Sequence, residues 1–271
     1  DAVRYWAANG RPGTDTAFDE GQMKVGRRLA IKILNASKFA LGLGTPREGE
    51  APDPVPAVPD ADPSAATEAL DLAMLARLRV LVDEATAAFE GYDYARALER
   101  TEAFFWAFCD DYLELVKGRA YGAQGPEAAA SARGALNVAL STLLRLFAPF
   151  LPFATEEVWS WWQDGGSVHR APWPTTDDFP PAASSVDAAV YEVAASVLGE
   201  IRKAKTEAGV SLRADVESAV VRDTAERLAL LGPALGDVQE SGNVAALTTE
   251  TTENPDDFAV TVLLAPPATD D

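Results

Sequence analysis

Apolar residues recur at three- and four-residue steps along most of this chain. Across 18–43, Val25, Leu29, Ile33, Ala36, Ala40 and Leu43 fall on one face at roughly 100° per residue, the stripe of a helix that packs into a bundle. Thr16 or Asp19 is expected to cap this helix, and Gly42 and Gly44 to end it. Leu70, Met74, Leu78, Leu81, Ala85 and Ala88 repeat the pattern over 67–90, and Gly91 interrupts it. Tyr94, Leu98, Thr101, Phe105, Phe108, Tyr112 and Leu115 form a further stripe, closed by Gly118, Gly122 and Gly125-Pro126. Leu136, Leu140, Leu143 and Phe147 carry the next helix, which Pro149 and Pro152 bend or break before a short helix over 153–162. Four such helices joined by short loops predict an antiparallel helix bundle.

Other stretches carry different patterns. Residues 46–63 hold six prolines among small and acidic residues, so 46–66 reads as an exposed, flexible insert. Gly165-Gly166 and the proline-rich 172–181 mark a loop over the bundle, with Trp173 expected to plug its surface. A helix follows over 186–208, burying Val190, Val193, Val197 and Ile201, with Arg202, Lys203 and Lys205 where cations suit the helix dipole. Beyond Gly209 the period changes: 215–221 alternates like a strand, 224–231 reads as a helix, 238–240 and 244–247 as weak strands, and 258–264 as the clearest strand. The predicted class is mainly α, an antiparallel helix bundle followed by a small α/β subdomain.

Composition narrows the chemistry. A hydrophobic content of 48% predicts packed cores, and the single cysteine, Cys109, excludes an internal disulfide and a Cys-rich zinc site. Cys109 reads as a small buried hydrophobe. No signal peptide and no apolar run of membrane-spanning length is seen, which predicts a cytoplasmic, membrane-free protein. The net charge of −19 argues against indiscriminate nucleic-acid binding, yet residues 1–45 hold seven Lys/Arg against four Asp/Glu.

That basic excess gathers on the opening helix, where no acid occurs between Glu20 and Glu48. Beside its core stripe, Arg28, Lys32, Asn35 and Phe39 form a second row, and Lys24, Arg27 and Lys38 spread positive charge around it. Cations, an amide and an aromatic on one face suit the reading of RNA. The plainer reading stands beside it: such cations also snorkel along a core stripe and keep a helix soluble, and Phe39 could be core rim.

Catalytic constellations are missing. His169 is the only histidine and lies in a loop without triad partners. Glu156-Glu157 and Asp110-Asp111 are helix neighbours that point to different sides, and no third ligand stands at metal spacing. No glycine-rich phosphate loop occurs.

Several words of the sequence resemble the class I valyl-tRNA synthetases. DAVRYW at 1–6 matches a segment that follows the family's catalytic core, and RPGTDTAFDEGQMKVGRRLAIKILNASKFAL resembles its first anticodon-domain helix. AFCDDYLELVKGR (107–119), LSTLLRLFAPFLPFATEEVWSWW (140–162) and VHRAPWP (168–174) agree in order, so the likeness covers about residues 1–210. It implies the C-terminal anticodon-binding region of a valine–tRNA ligase: 1–17 ending a stem-contact region, 18–182 the bundle, 183–210 a connecting helix and 211–271 an appendage.

The resemblance further implies that the parent enzyme charges tRNA with valine using ATP and Mg²⁺ and hydrolyses misacylated threonine. Both ATP-handling signatures and any editing stretch are missing here, so the fragment is expected to be inactive alone, without a cofactor, and monomeric. Its expected partners are the anticodon arm of valine tRNA and the missing catalytic and editing domains. Matching the family's Asn-Lys-x-x-Asn-Ala-x-Arg-Phe pattern picks out Lys32, Asn35, Lys38 and Phe39, with Phe39 at the base-stacking aromatic. Ile31 replaces the pattern's first Asn, and Lys38 its Arg, losing the planar fork that makes bidentate contacts. By the same resemblance, the Arg202, Lys203 and Lys205 cluster has contact with a tRNA stem as its alternative role. Chain start and end carry two more expectations: a fragment cut from a longer protein and, were Asp271 the native end, a member without the family's coiled-coil arm. Two rival readings are a free-standing RNA-binding paralogue and a protein-interaction scaffold whose basic row meets an acidic partner.

Overall fold

The computed structural model describes residues 1–44, 62–163 and 165–266. Helices dominate, and one small sheet forms toward the end. The helices are α1 (Ala2–Ala8), α2 (Glu20–Gly42), α3 (Ala69–Glu90), α4 (Tyr94–Ala107), α5 (Leu113–Ala120), α6 (Pro126–Phe147), α7 (Pro152–Trp159) and α8 (Ala189–Glu207). Strand β1 (Val216–Thr224), helices α9 (Ala225–Leu231) and α10 (Leu235–Ser241), and strands β2 (Val244–Thr252) and β3 (Ala259–Leu264) complete the order.

The long helix α6 is buried on nearly every side from Ser131 to Phe147, and α2, α3, α4, α5 and α7 all pack on it. Leu136, Leu140, Leu143, Leu144 and Phe147 supply its apolar contacts, and of its buried polar side chains Ser131 donates to Asp71, Arg133 to the Ala120 carbonyl and Arg145 to the Ser141 carbonyl. Phe105 of α4 meets Phe147 of α6 edge to face at 5.4 Å. Asp19 caps α2 by accepting from the amides of Gly21 and Gln22, and the helix stops at Gly42, with Gly44 in the left-handed region.

Three details depart from the sequence reading. Within the stretch expected to be a flexible insert, Asp62 caps a 3-10 turn over Pro63–Ala65 and Ala66 is buried. The amides of Thr67 and Glu68 both donate to Ser131 Oγ at 2.9 Å, which docks this end of the stretch on α6. The remainder of that insert, 46–61, lies outside the described residues. Secondly, a π-turn over Phe108–Tyr112 joins α4 to α5, so the stripe from Tyr94 to Leu115 belongs to one continuous helical run with an inserted residue. Gly91 does follow the end of α3, as expected, and Tyr92 beside it takes the left-handed conformation. Lastly, 238–240 is helical: β1 and β2 are parallel, and a parallel pair requires a crossover, which α9 and α10 supply.

The sheet order is β2-β1-β3, with β1 antiparallel to β3 and a register shift between Val216 and Ser218. Val216, Ala219 and Val221 face the covered side, where α8 and α9 lie. Lys205, buried near the end of α8, donates to the carbonyls of Leu212 (3.0 Å) and Gly242 (2.7 Å), tying that helix to the sheet unit. Burial lowers the pKa of this ammonium.

A buried ionic network fastens α10 to the other helices. Arg119 of α5 donates from both terminal nitrogens to Asp71 of α3 at 2.7 Å, and from Nε to Asp237 of α10 at 2.9 Å. Tyr112 and Ser131 donate to the same Asp71 carboxylate, at 2.7 and 2.6 Å. Both oxygens of Asp71 thereby accept two bonds each, the saturation under which buried charge is tolerated.

Candidate nucleic-acid interface

Helix α2 buries Leu29, Ile33, Ala36, Ser37 and Ala40 and turns its opposite face to solvent. Lys24, Arg27, Arg28, Asn35 and Lys38 are all exposed on that outer side, as is Ile31. Among the described residues no carboxylate pairs with Lys24, Arg27 or Arg28, so these cations are free to meet a phosphate.

Lys32 is engaged differently. Its Nζ donates to Asp110 Oδ1 at 2.9 Å and lies 5.7 Å from the ring centre of Trp106. Burial works against its charge, but the hydrogen bond to Asp110 and the surrounding negative field raise its pKa overall. Asp110 belongs to the π-turn, which turns one carboxylate toward α2 and the next toward α8. There Arg202 donates to the Asp110 carbonyl at 2.6 Å and stands 3.8 Å from Asp111.

At the far end of α2 the cations meet aromatic rings. Lys38 Nζ lies 5.7 Å from the ring centre of Trp161, and half-buried Phe39 meets Tyr121 edge to face with centres 6.0 Å apart. Asn35 sits one turn earlier on the outer face. Sequence reading missed Tyr121, Trp161, Trp106 and Asp110 as neighbours of this surface. The pairing of Lys32 with Asp110 spans 78 residues, and no local spacing encodes it.

The remaining candidates have structural partners. His169 Nε2 lies 3.1 Å from the Pro152 carbonyl, and Glu156 accepts from Ser167 Oγ and the Val168 amide. Lys203 pairs with Glu200, while Lys205 and Arg202 are held as described. Trp173 donates to Thr86 Oγ1 at 2.8 Å and packs on Phe89, filling the surface under the 172–181 loop. Burial raises the Cys109 thiol to about 12, so it is a packing residue and not a nucleophile. Among the described residues no group of three or more His, Cys, Asp or Glu is placed to hold a metal, and no helix is long and apolar enough to cross a membrane.

Comparison with known proteins shows which family the chain belongs to. The family model described as "Anticodon-binding domain of tRNA ligase" matches residues 71–221. A valine–tRNA ligase of Thermobifida fusca (strain YX) is 58% identical over 266 residues, covering 98% of this chain and 28% of its own length. That of Salinispora tropica is 50% identical over 269 residues, covering 94% and 30%. The chain thus spans about 30% or less of the length of these curated relatives. Among solved structures, a LeuRS of Agrobacterium radiobacter K84, in a ternary complex with tRNA and LeuAMS, aligns with a TM-score of 0.47 at 12% identity, covering 98% of this chain and 29% of that one. The extent of the family match and the identity to the valine–tRNA ligases show that the chain belongs to the anticodon-binding domain family of tRNA ligases.

Proposed function

We propose that this chain is the C-terminal part of a valine–tRNA ligase and that it grips the anticodon arm of valine tRNA through the outer face of α2. One observation carries the reading: on a chain of net charge −19, three cations without carboxylate partners among the described residues share an exposed helix face that ends at an aromatic pair. Acidic surroundings repel a polyanion elsewhere, so such a face admits one docking geometry. Arg28, Lys24 and Arg27 neutralise backbone phosphates, Asn35 and Lys38 hydrogen-bond bases or backbone, and Phe39 stacks on an unpaired base. Lys32 joins them once the RNA draws it from Asp110.

In this reading the helices from 18 to 182 form the antiparallel bundle of class I synthetases, 1–17 ends the stem-contact region, 183–210 connects, and 211–271 is an appendage. Valine activation with ATP and Mg²⁺, transfer and editing belong to other parts of the ligase, a cytoplasmic monomer. The chain itself uses no cofactor and places the acceptor end in a distant active site.

Chemical probing of valine tRNA bound to the chain tests this. Protection confined to the anticodon arm supports it; protection of the acceptor stem alone, or binding no stronger than to an unrelated tRNA, contradicts it.

A further inference from the structure

We propose that Tyr121 is a second base-contacting aromatic, forming with Phe39 a two-ring corner that receives unstacked bases of the RNA; this rests on the function proposed above. Tyr121 is 61% exposed; Phe18, Tyr92 and Phe153 are more exposed still, so what marks Tyr121 is its position against Phe39 at the end of α2 and not exposure alone. Its edge-to-face contact with Phe39 adjoins the cationic face of α2 and continues it onto α5. An exposed ring beside cations is the combination that holds single-stranded nucleic acid: stacking accepts any base, and the cations track the backbone.

The backbone beneath the ring is also held in place. Tyr121 follows the last residue of α5, and the Gly122 amide donates to Arg119 O (2.9 Å) while Ala123 donates to Gly118 O (3.2 Å). This is a Schellman cap, and Gly122 at φ +98° is the residue that permits it. One turn earlier Gly118 lies flush against α10, where an added Cβ would collide with the Glu240 carboxylate. Arg119 is locked between Asp71 and Asp237, and Gln124 Nε2 reaches Asp237 at 3.3 Å. The backbone that carries Tyr121 is therefore braced from both sides, by α3 and by the sheet unit. A ring carried on braced backbone costs less ordering when a base stacks on it than one carried on a mobile loop.

Binding of the 271-residue chain to the anticodon stem-loop of valine tRNA tests this, with melting temperatures measured alongside. Tyr121→Ala is expected to weaken binding about 5- to 150-fold, the usual worth of one base–aromatic stack, with an unchanged salt slope and an unchanged melting temperature. Tyr121→Phe should bind as the parent does, and Tyr121→Leu should bind as poorly as Tyr121→Ala. Parent-like binding by Tyr121→Ala overturns the proposal while leaving the anticodon reading intact. So does full rescue by Tyr121→Leu, which would make the ring a packing prop for Phe39. Failure of the parent to bind the stem-loop overturns the anticodon reading itself, and the proposal with it.

Discussion

Arg119 and Asp237 lie 118 residues apart in sequence and meet as a buried pair, Nε to Oδ1 at 2.9 Å. The contact joins α5 to the sheet unit, and the same guanidinium grips Asp71 of α3. Arg119→Met should cost about 3–5 kcal/mol, because it strands two buried carboxylates without their cation. Asp237→Asn keeps an acceptor for Nε and should cost clearly less than Asp237→Ala. Urea melts of the three variants check the order; equal losses for Asn and Ala would show that the hydrogen bond is unimportant.

The same pair predicts a pH dependence. Burial pushes the Asp237 carboxyl up to about 6 from its ordinary 3.8, outweighing the attraction of Arg119. Within that window the folded chain holds a proton that the unfolded chain has released, so this group's contribution to stability is full below the window. It is lost as pH rises through about 6. Stability differences between the parent and Asp237→Asn, measured by urea melts from pH 4 to 7, should shift in that direction and level off above the window. A difference that does not change with pH would contradict it.

Close packing beneath the α2 face supplies another test. A Cβ at Gly26 would stand 2.5 Å from Tyr5 Cβ, an atom that cannot move without its backbone. Gly26→Ala should therefore destabilise the chain by about 1–3 kcal/mol, although alanine is by itself the better helix former. Thermal melts decide; a stabilised variant would mean that α1 yields easily.

Asp110 restrains Lys32 at 2.9 Å in the absence of RNA. Asp110→Asn should release that cation, tighten tRNA binding and steepen its salt dependence, whereas Lys32→Ala should weaken binding and flatten the slope. Filter binding across a salt series checks both; unchanged affinity in both variants would place Lys32 outside the interface.

Much of this architecture is legible in the sequence because the helices bury continuous stripes. The positions from Leu70 to Ala88 that repeat at three and four all turn inward, and Asp19 stands where the cap was expected. The π-turn was not legible: an inserted residue leaves the apolar steps from Phe105 to Leu115 looking like an ordinary helix. Val238 misled because three residues are too few to set a period, and only the parallel pairing of β1 with β2 shows that a crossover is needed. At the candidate site, the cationic row on α2 could be read locally. The partners of Lys32, Lys38 and Phe39 could not, since Asp110, Trp161 and Tyr121 arrive from distant helices and turns.

The response of tRNA binding to salt when the α2 face is altered tests most directly whether that face meets RNA. Binding of valine tRNA to the parent chain, Arg28→Ala and Phe39→Ala should be titrated with salt, beside thermal melts of each. Arg28→Ala should reduce the slope of log affinity against log salt by about 0.7–0.9, one released counterion. Phe39→Ala should leave the slope unchanged and cost about 1–3 kcal/mol of binding. Slopes and affinities equal to the parent's in both variants, or a Phe39→Ala loss seen only in melting temperature, would contradict the claim that this helix face reads the anticodon arm.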